Sequence, residues 1–445
     1  MVKKLLIGVA LLYSAGIRVA GQSIHQITCR ADSSQTYALY VPARGYKQAL
    51  PLIYFFDSHG VGALPLRKYM ALADAYGFIL VGSNNSKNGN DWSTTEKIWS
   101  RLWDDTRTKL VRGQRVYACG FSGGAKVASY LAIEHPEIKG VIAIGAGLPD
   151  GVSAGDFRFS FTAITGEGDM NMTELIAITG DLDKTRTRHR LLFFDGKHEW
   201  APEATMRIAF GGLELDAMQA GLIKKDATAI NGYIVRSKDR LNADMRRGEL
   251  IGAHRECAIS VSYLSGLTGE ADWFRQRSVT LDRNGEYQKQ IQAQERLLVT
   301  EQNTKAAYMQ HFEEGDIRYW TGIIDDLRTK AGTAGDGRKK TAASAMYQRL
   351  LAYLSLAFYS ISNQLITSNR NDAAQHFVQL YKMADPANSE AWYFSAILHA
   401  RGGDGHAAAD DLLKAAANGF DDKGRLRQQP EFQRIDLSRI EAAMH

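Results

Sequence analysis

Three side chains, Ser122, Asp169 and His198, occur in the order and surroundings that nucleophilic chemistry requires. A serine hydroxyl attacks a carbonyl only when a base takes its proton, and that base works when a third group orients it. Ser122 lies in Gly120-Phe121-Ser122-Gly123-Gly124, between the apolar run Arg115-Val116-Tyr117-Ala118-Cys119 and a helix-like stretch over residues 125–132. Strand, tight turn and helix would hold the serine in a strained conformation at the apex, with glycines where side chains would collide. The helix would then aim its first N–H groups and positive dipole end at an oxyanion formed there.

The five letters alone do not decide this. Gly151-Val152-Ser153-Ala154-Gly155 fits the same pattern, yet no strand enters it and no helix leaves it. Ser153 therefore reads as a loop serine, and context selects Ser122.

The acid and the base are expected further along the chain, on loops that follow strands. Thr165-Gly166-Glu167-Gly168-Asp169-Met170-Asn171 follows an apolar run ending at Ile164, and Asp195-Gly196-Lys197-His198-Glu199-Trp200 follows one ending at Phe194. His198 is the expected general acid/base and Asp169 the orienting carboxylate, with Glu167 and Asp195 as rivals for the acid. An oxyanion needs two N–H donors. Gly123, next after the serine, supplies one by position, and the other falls in Asp57-Ser58-His59-Gly60-Val61-Gly62, where Ser58, His59 and Gly60 all remain open. His59 reads as a brace for that loop. The polar stretch 84–92 is long enough to line the site, with Asn84 a contact to substrate. Trp92 and Trp200 would offer flat surfaces to an aromatic or sugar group, against the plainer reading that both are packing residues.

Something must hold these loops on one edge. From residue 36 to about 220, apolar runs at 37–41, 52–56, 78–81, 116–119, 141–144, 161–164 and 191–194 alternate with helical stretches such as 66–75 and 94–110. Continuous apolar runs separated by helices predict an α/β fold, a doubly wound, mostly parallel sheet covered on both faces. Sites in such sheets lie beyond the carboxyl ends of the strands. Few residues separate 144 from 159, which leaves the mouth without a lid.

With these motifs in place, residues 35–220 resemble the α/β-hydrolase superfamily, in its secreted esterase and polyhydroxybutyrate-depolymerase-like branch. The likeness rests on the His59-Gly60 loop, the Ser122 elbow and the Asp169 and His198 loops in sequence, and covers under half of the chain. It implies an acyl-enzyme formed on Ser122, water activated by His198, no metal and no organic cofactor, and an ester substrate that is carbohydrate- or polyester-linked.

Beyond about residue 225 the strand signal ends, and 240–263, 286–298 and 304–331 read as helices. The glycine-rich stretch 332–337 reads as a loop, without the Gly-Lys-Ser/Thr ending of a phosphate cradle. Setting Ser355 and Ser389 as equivalent, 34 residues apart, aligns Phe358 with Trp392, Ala374 with Ala408, Val378 with Leu412 and Tyr381 with Ala415. This period resembles that of tetratricopeptide repeats, over residues 355–422, and implies a protein partner docked on them. The expected division is a signal peptide over 1–21, a hydrolase domain over 22–225 and a helical domain over 226–445.

The signal peptide rests on Lys3-Lys4, an apolar stretch over 5–12 too short to span a bilayer, and small residues up to Gly21. It implies a periplasmic or extracellular protein, and no other apolar run is read as a membrane span. Among 445 residues, 45% are hydrophobic and 23% charged, a globular composition, and a net charge of +5 without basic blocks gives nucleic-acid binding no support. The odd count of three cysteines cannot complete a disulfide framework, and His254 with Cys257 is too small a set for zinc. A serine peptidase of the same superfamily, and a non-catalytic protein that binds through its repeats, are the competing readings.

Overall fold

The computed structural model describes residues 23–43, 49–110, 112–312, 316–332 and 341–444. The expected signal peptide and most of the 332–337 loop lie outside them. In chain order the first elements are β1 (His25–Cys29), β2 (Asp32–Tyr40), β3 (Leu50–Phe56), α1 (Ala63–Tyr76), β4 (Ile79–Ser83) and α2 (Trp92–Lys109). Next come β5 (Arg112–Phe121), α3 (Gly123–Glu134), β6 (Ile138–Ile144), β7 (Ser160–Gly166), α4 (Met172–Leu182), β8 (His189–Phe194) and α5 (Glu203–Gln219). Helices alone follow: α6 (Ala227–Arg247), α7 (Leu250–Leu264), α8 (Glu270–Asp282), α9 (Gly285–His311), α10 (Ile317–Ala331), α11 (Ala342–Thr367), α12 (Asn371–Ala384), α13 (Ser389–Arg401), α14 (Gly405–Ala417), α15 (Lys423–Gln428) and α16 (Ser438–Ala443).

The strands form one sheet in the order β1-β2-β4-β3-β5-β6-β7-β8. From β4 to β8 every pair is parallel, whereas β2 runs antiparallel to both β1 and β4. This order and direction is the α/β-hydrolase arrangement. Burial explains it: β3, β4 and β7 are buried along their whole length, as strands covered on both faces must be, and the edge strand β8 alternates. Ile53, Phe55, Tyr117, Cys119 and Ile142 face a core shared with α1 and α5, and Tyr54, Phe56, Ala118, Val141 and Ala143 face one shared with α2, α3 and α4.

The core does not divide near residue 225. Ile230, Tyr233, Leu241, Ala253, Tyr263, Phe274 and Tyr287 belong to the same apolar cluster as the α1–α5 face of the sheet. Tyr263 of α7 is fully buried, packs edge-on to Tyr233 at 5.4 Å and lies under the Arg190 guanidinium at 3.9 Å. Arg190 of β8 is in turn paired with buried Asp216 of α5 at 2.6 and 3.0 Å. A second core begins only at Tyr308 and runs to Met444, so the two cores part within α9. Sequence periodicity misses this because an amphipathic helix looks the same whichever core it covers.

Two helix boundaries also differ from expectation. Gly248, at φ 72°, caps α6 and splits the helix read over 240–263, whereas α9 runs unbroken through the gap read between 298 and 304. Two helix pairs, α11–α12 and α13–α14, occupy the 34-residue period, and Phe358, Ala374, Ala408, Val378, Leu412, Tyr381 and Ala415 are all buried there. Trp392 instead sits partly exposed beneath Lys382 and Lys414, at 4.2 and 4.7 Å from its ring. Among the described residues α11 is long and apolar enough to cross a membrane, and it carries Leu350, Leu354 and Phe358 of the second core.

Cutting the chain at residue 225 therefore removes part of the sheet's own core. The shortened protein is expected to lose cooperative thermal unfolding followed by near-ultraviolet circular dichroism. In the full chain, Tyr263→Ala is expected to lower the unfolding free energy by about 3–5 kcal/mol in a denaturant titration, the range for emptying a buried aromatic site.

Candidate active site

Ser122 directly follows β5 and opens α3, with its backbone at φ 55° and ψ −125°. Residues with side chains avoid this region at a cost of about 1–3 kcal/mol, so the surroundings must impose it. Its N–H donates to the carbonyl of Ile144 on β6 at 2.8 Å, which ties the turn to the sheet. Two glycines let the chain fold this tightly. A Cβ on Gly120 would lie 1.9 Å from the Gly124 carbonyl oxygen, and one on Gly124 would lie 2.0 Å from that of Phe56. Ser153, the decoy, lies exposed in an irregular loop.

His198 and Asp169 arrive from the loops after β8 and β7. His198 Nε2 is 2.9 Å from Ser122 Oγ, and His198 Nδ1 is 3.0 Å from both carboxylate oxygens of Asp169. Asp169 is 1% exposed, and its Oδ1 also accepts the Asn171 N–H at 2.8 Å. Of the rivals, Glu167 lies 3.8 Å from Arg255, and the carboxylate within hydrogen-bond distance of His198 Nδ1 is that of Asp169. The acid and histidine loops are stitched together by Glu167 N–H to Phe194 O at 2.9 Å and Gly168 N–H to Gly196 O at 2.8 Å. Beneath the pair lies Gly145, at φ 68°, where a Cβ would approach the His198 ring to 3.0 Å and Asp169 Oδ2 to 3.1 Å.

The loop after β3 narrows the second donor. Asp57 accepts the His59 N–H on Oδ1 at 2.9 Å and the Gly60 N–H on its carbonyl at 3.1 Å. Those two amides are consumed by the turn, while that of Ser58 takes no part in these bonds. Gly123 N–H, in the first turn of α3, has no intrahelical partner either. Asn88 joins the two sides, with its N–H on Ser58 O at 2.8 Å and its side chain against Gly123, Oδ1 lying 1.9 Å from where a Cβ would stand. The His59 side chain is 74% exposed and touches Ser58 Oγ at 3.2 Å, a loop contact outside the Ser122–His198–Asp169 chain.

Two of the expected substrate contacts are corrected. Asn84 is spent on structure: its Oδ1 accepts the Gly62 N–H at 3.1 Å, and its Nδ2 donates to Gln26 and Thr36 at 2.8 and 3.0 Å. Trp200 is 6% exposed, packs on Phe55, Tyr69 and Phe121, and donates Nε1–H to Asp57 Oδ2 at 2.9 Å, so it offers no face to a ligand. Trp92 is 41% exposed but stacked on Tyr130 at 4.3 Å. The polar stretch does reach the site, through Asn88 rather than Asn84. Its backbone bond to Ser58 depends on how two distant loops meet, which residue types do not reveal. His254 and Cys257 part company. The first bonds Ser278 Oγ at 2.8 Å, and the second is buried, with its thiol pushed up to about 12 by desolvation.

The arrangement can pass the Ser122 proton to His198, keep the imidazole oriented on Asp169, and present amides to a nascent oxyanion. No family model and no curated protein matches the chain. Among solved structures it is similar to S-formylglutathione hydrolase of Staphylococcus aureus, 9% identical, TM-score 0.36, over 43% of this chain and 97% of that one. The S-formylglutathione hydrolase of Agrobacterium tumefaciens is 17% identical, TM-score 0.33, over 44% and 94%. The hyperthermophilic esterase of the archaeon Pyrobaculum calidifontis is 14% identical, TM-score 0.36, over 44% and 84%. Likeness this distant says nothing of substrate.

Gly145 offers a test of the geometry without touching the three side chains. Gly145→Ala is expected to slow labelling of Ser122 by a fluorophosphonate about 10-fold, because the added Cβ pushes the His198 ring by a few tenths of an ångström and is itself strained at φ 68°. Labelling at the wild-type rate, read by intact-protein mass, would show that the imidazole does not need this floor.

Proposed function

We propose that this chain is a serine hydrolase acting on carboxylic esters. The carrying observation is the unbroken hydrogen-bond chain from Ser122 Oγ through the His198 ring to the buried carboxylate of Asp169. In this reading Ser122 Oγ attacks the ester carbonyl as His198 Nε2 takes its proton. The oxyanion is met by the N–H groups of Gly123 and Ser58, at the positive end of α3. Collapse breaks the ester C–O bond, His198 returns the proton to the leaving alkoxide, and the alcohol departs from an acyl-Ser122. Water then attacks the acyl carbon as His198 takes its proton, and expulsion of the serine regenerates the enzyme with release of the acid.

The connection from β6 to β7 carries no helix. Such a mouth favours carbohydrate- or polyester-linked acyl groups over a small ligand sealed under a lid. Secretion follows from the leader read over residues 1–21, and the mass of the mature N-terminus tests it. A peptidase shares the same machinery, and the relative rates on matched ester and amide substrates distinguish the two.

The decisive measurement is hydrolysis of p-nitrophenyl acetate with fluorophosphonate labelling. Ser122→Ala and His198→Ala are each expected to lower kcat by at least roughly four orders of magnitude, and both together scarcely more, because the group acts as a unit. Turnover or labelling that survives Ser122→Ala would overturn the assignment. Asp169→Asn should leave Ser122 in place and lower kcat by roughly 10⁴ by presenting the wrong imidazole tautomer.

A further inference from the structure

We infer that the helical region is part of the catalytic apparatus: a buried Arg349–Glu301–Lys305 cluster grips the backbone on both sides of Asp169 and sets where that carboxylate stands. The inference rests on the esterase reading above and adds to it a role for residues far outside the sheet.

Glu301 of α9 is fully buried, and Arg349 of α11 is 4% exposed. Arg349 Nε and Nη2 donate to Glu301 Oε2 at 2.8 and 2.6 Å, and Lys305 Nζ lies 2.8 Å from Oε1. Each cation also donates to the acid loop. Arg349 Nη1 donates to the carbonyl of Glu167 at 2.6 Å, two residues before Asp169. Lys305 Nζ donates to the carbonyl of Met170 at 3.1 Å, one residue after it. Gln348 lies against Gly168, its Oε1 3.0 Å from where a Cβ would stand, which brings α11 into contact with the acid loop.

Packing alone does not explain such a cluster. Burying charge is costly, and an apolar pair of similar volume joins two helices at least as well. Apolar side chains cannot hold peptide carbonyls, however. The loop gains from being held, since it leaves β7 at Gly166 and carries a glycine, Gly168, directly before the acid. Asp169 orients His198 through bonds of 3.0 Å, so a loop that drifts carries the imidazole away from Ser122. Arg349 and Lys305 are thus positioning residues, acting on the proton transfer through Asp169 and touching no substrate.

The test is a double-mutant cycle in the full chain, with kcat and KM measured on p-nitrophenyl acetate. Arg349→Ala alone would strand part of a buried charge, so the paired Glu301→Gln/Arg349→Gln replacement is used, with Lys305→Met as a milder second probe. Each is made with Asp169 present and in the Asp169→Asn background. With Asp169 present, kcat is expected to fall about 10–100-fold at nearly constant KM, because reacting atoms lose alignment. In the Asp169→Asn background the same changes should cost less than about threefold, since the group they act through is already gone. Arg349→Lys, which keeps the charge but not the fork, should recover part of the loss.

Equal losses in both backgrounds would show general loosening and overturn the inference, as would an unchanged kcat in cooperatively folded variants. If the paired variant does not fold, the Lys305→Met cycle decides on the same criteria. Labelling of Ser122 in the unmodified chain is scored separately. A labelled, active wild type without coupling to Asp169 sinks the brace alone, whereas an unlabelled and inactive wild type sinks the esterase reading with it.

Discussion

The backbone of Ser122 is the constraint to which the rest of the sheet domain answers. A non-glycine residue at φ 55° is uphill by about 1–3 kcal/mol and stays there only when its neighbours allow no alternative. Here β5 is locked between β3 and β6, the Ser122 N–H is bonded to Ile144, and α3 is pinned by Ala125, Val127, Ala128 and Leu131 in the core. One or two of those burials, at about 1.5–3 kcal/mol for a full-sized apolar side chain, offset the strain. The glycines at 120 and 124 do not supply that energy. They remove the collisions that would otherwise keep helix and strands apart.

A fixed serine is of no use unless the other two groups come to it, and each comes on a loop held from behind by a different part of the molecule. The histidine loop is anchored on α1, where Lys68 and Tyr69 donate to the carbonyls of Trp200 and Ala201 at 2.8 and 2.6 Å. It is also bound to the loop after β3, because the Asp57 carboxylate takes the Trp200 N–H on one oxygen and the His59 N–H on the other. One buried carboxylate therefore fixes the base loop and the proposed oxyanion loop relative to each other. The acid loop is stitched to the histidine loop, tied to the loop after β6 by Asn171 Nδ2–H on the Gly145 carbonyl at 2.8 Å, and held from behind by α9 and α11.

What could be read in advance follows from how local each cause is. Buried parallel strands announce themselves as unbroken apolar runs, so β3 to β8 were legible to within a few residues. The Ser122 turn was legible because its glycines and flanking elements are contiguous. The polar edge strand β1 was not, since His25–Cys29 acquires its strand character only by pairing with β2. Asn84 reads as a ligand contact by type and placement, and Trp200 as either a flat surface for a ligand or a packing residue; Gly62 and Asp57, brought in by the tertiary fold, are the partners they take. The strand signal ends near 225 but the core does not, because the surface that the strands must cover is covered by α6 to α8 as well.

That last point bears on why the chain carries α9 as one long helix. Its 27 residues, at about 1.5 Å each, make a rod of roughly 40 Å, of which about 32 Å separate Tyr287 in the sheet's core from Tyr308 in the second core. Between those ends Ile291 and Leu297 pack, partly buried, against the first and second cores, and the one other buried residue of the helix is Glu301. Glu301 adds a polar attachment by pairing with Arg349 and Lys305, and both cations also donate to the backbone around Asp169. The same contacts that seat the helical region against the sheet therefore fall on the loop whose position matters most to the proposed proton transfer.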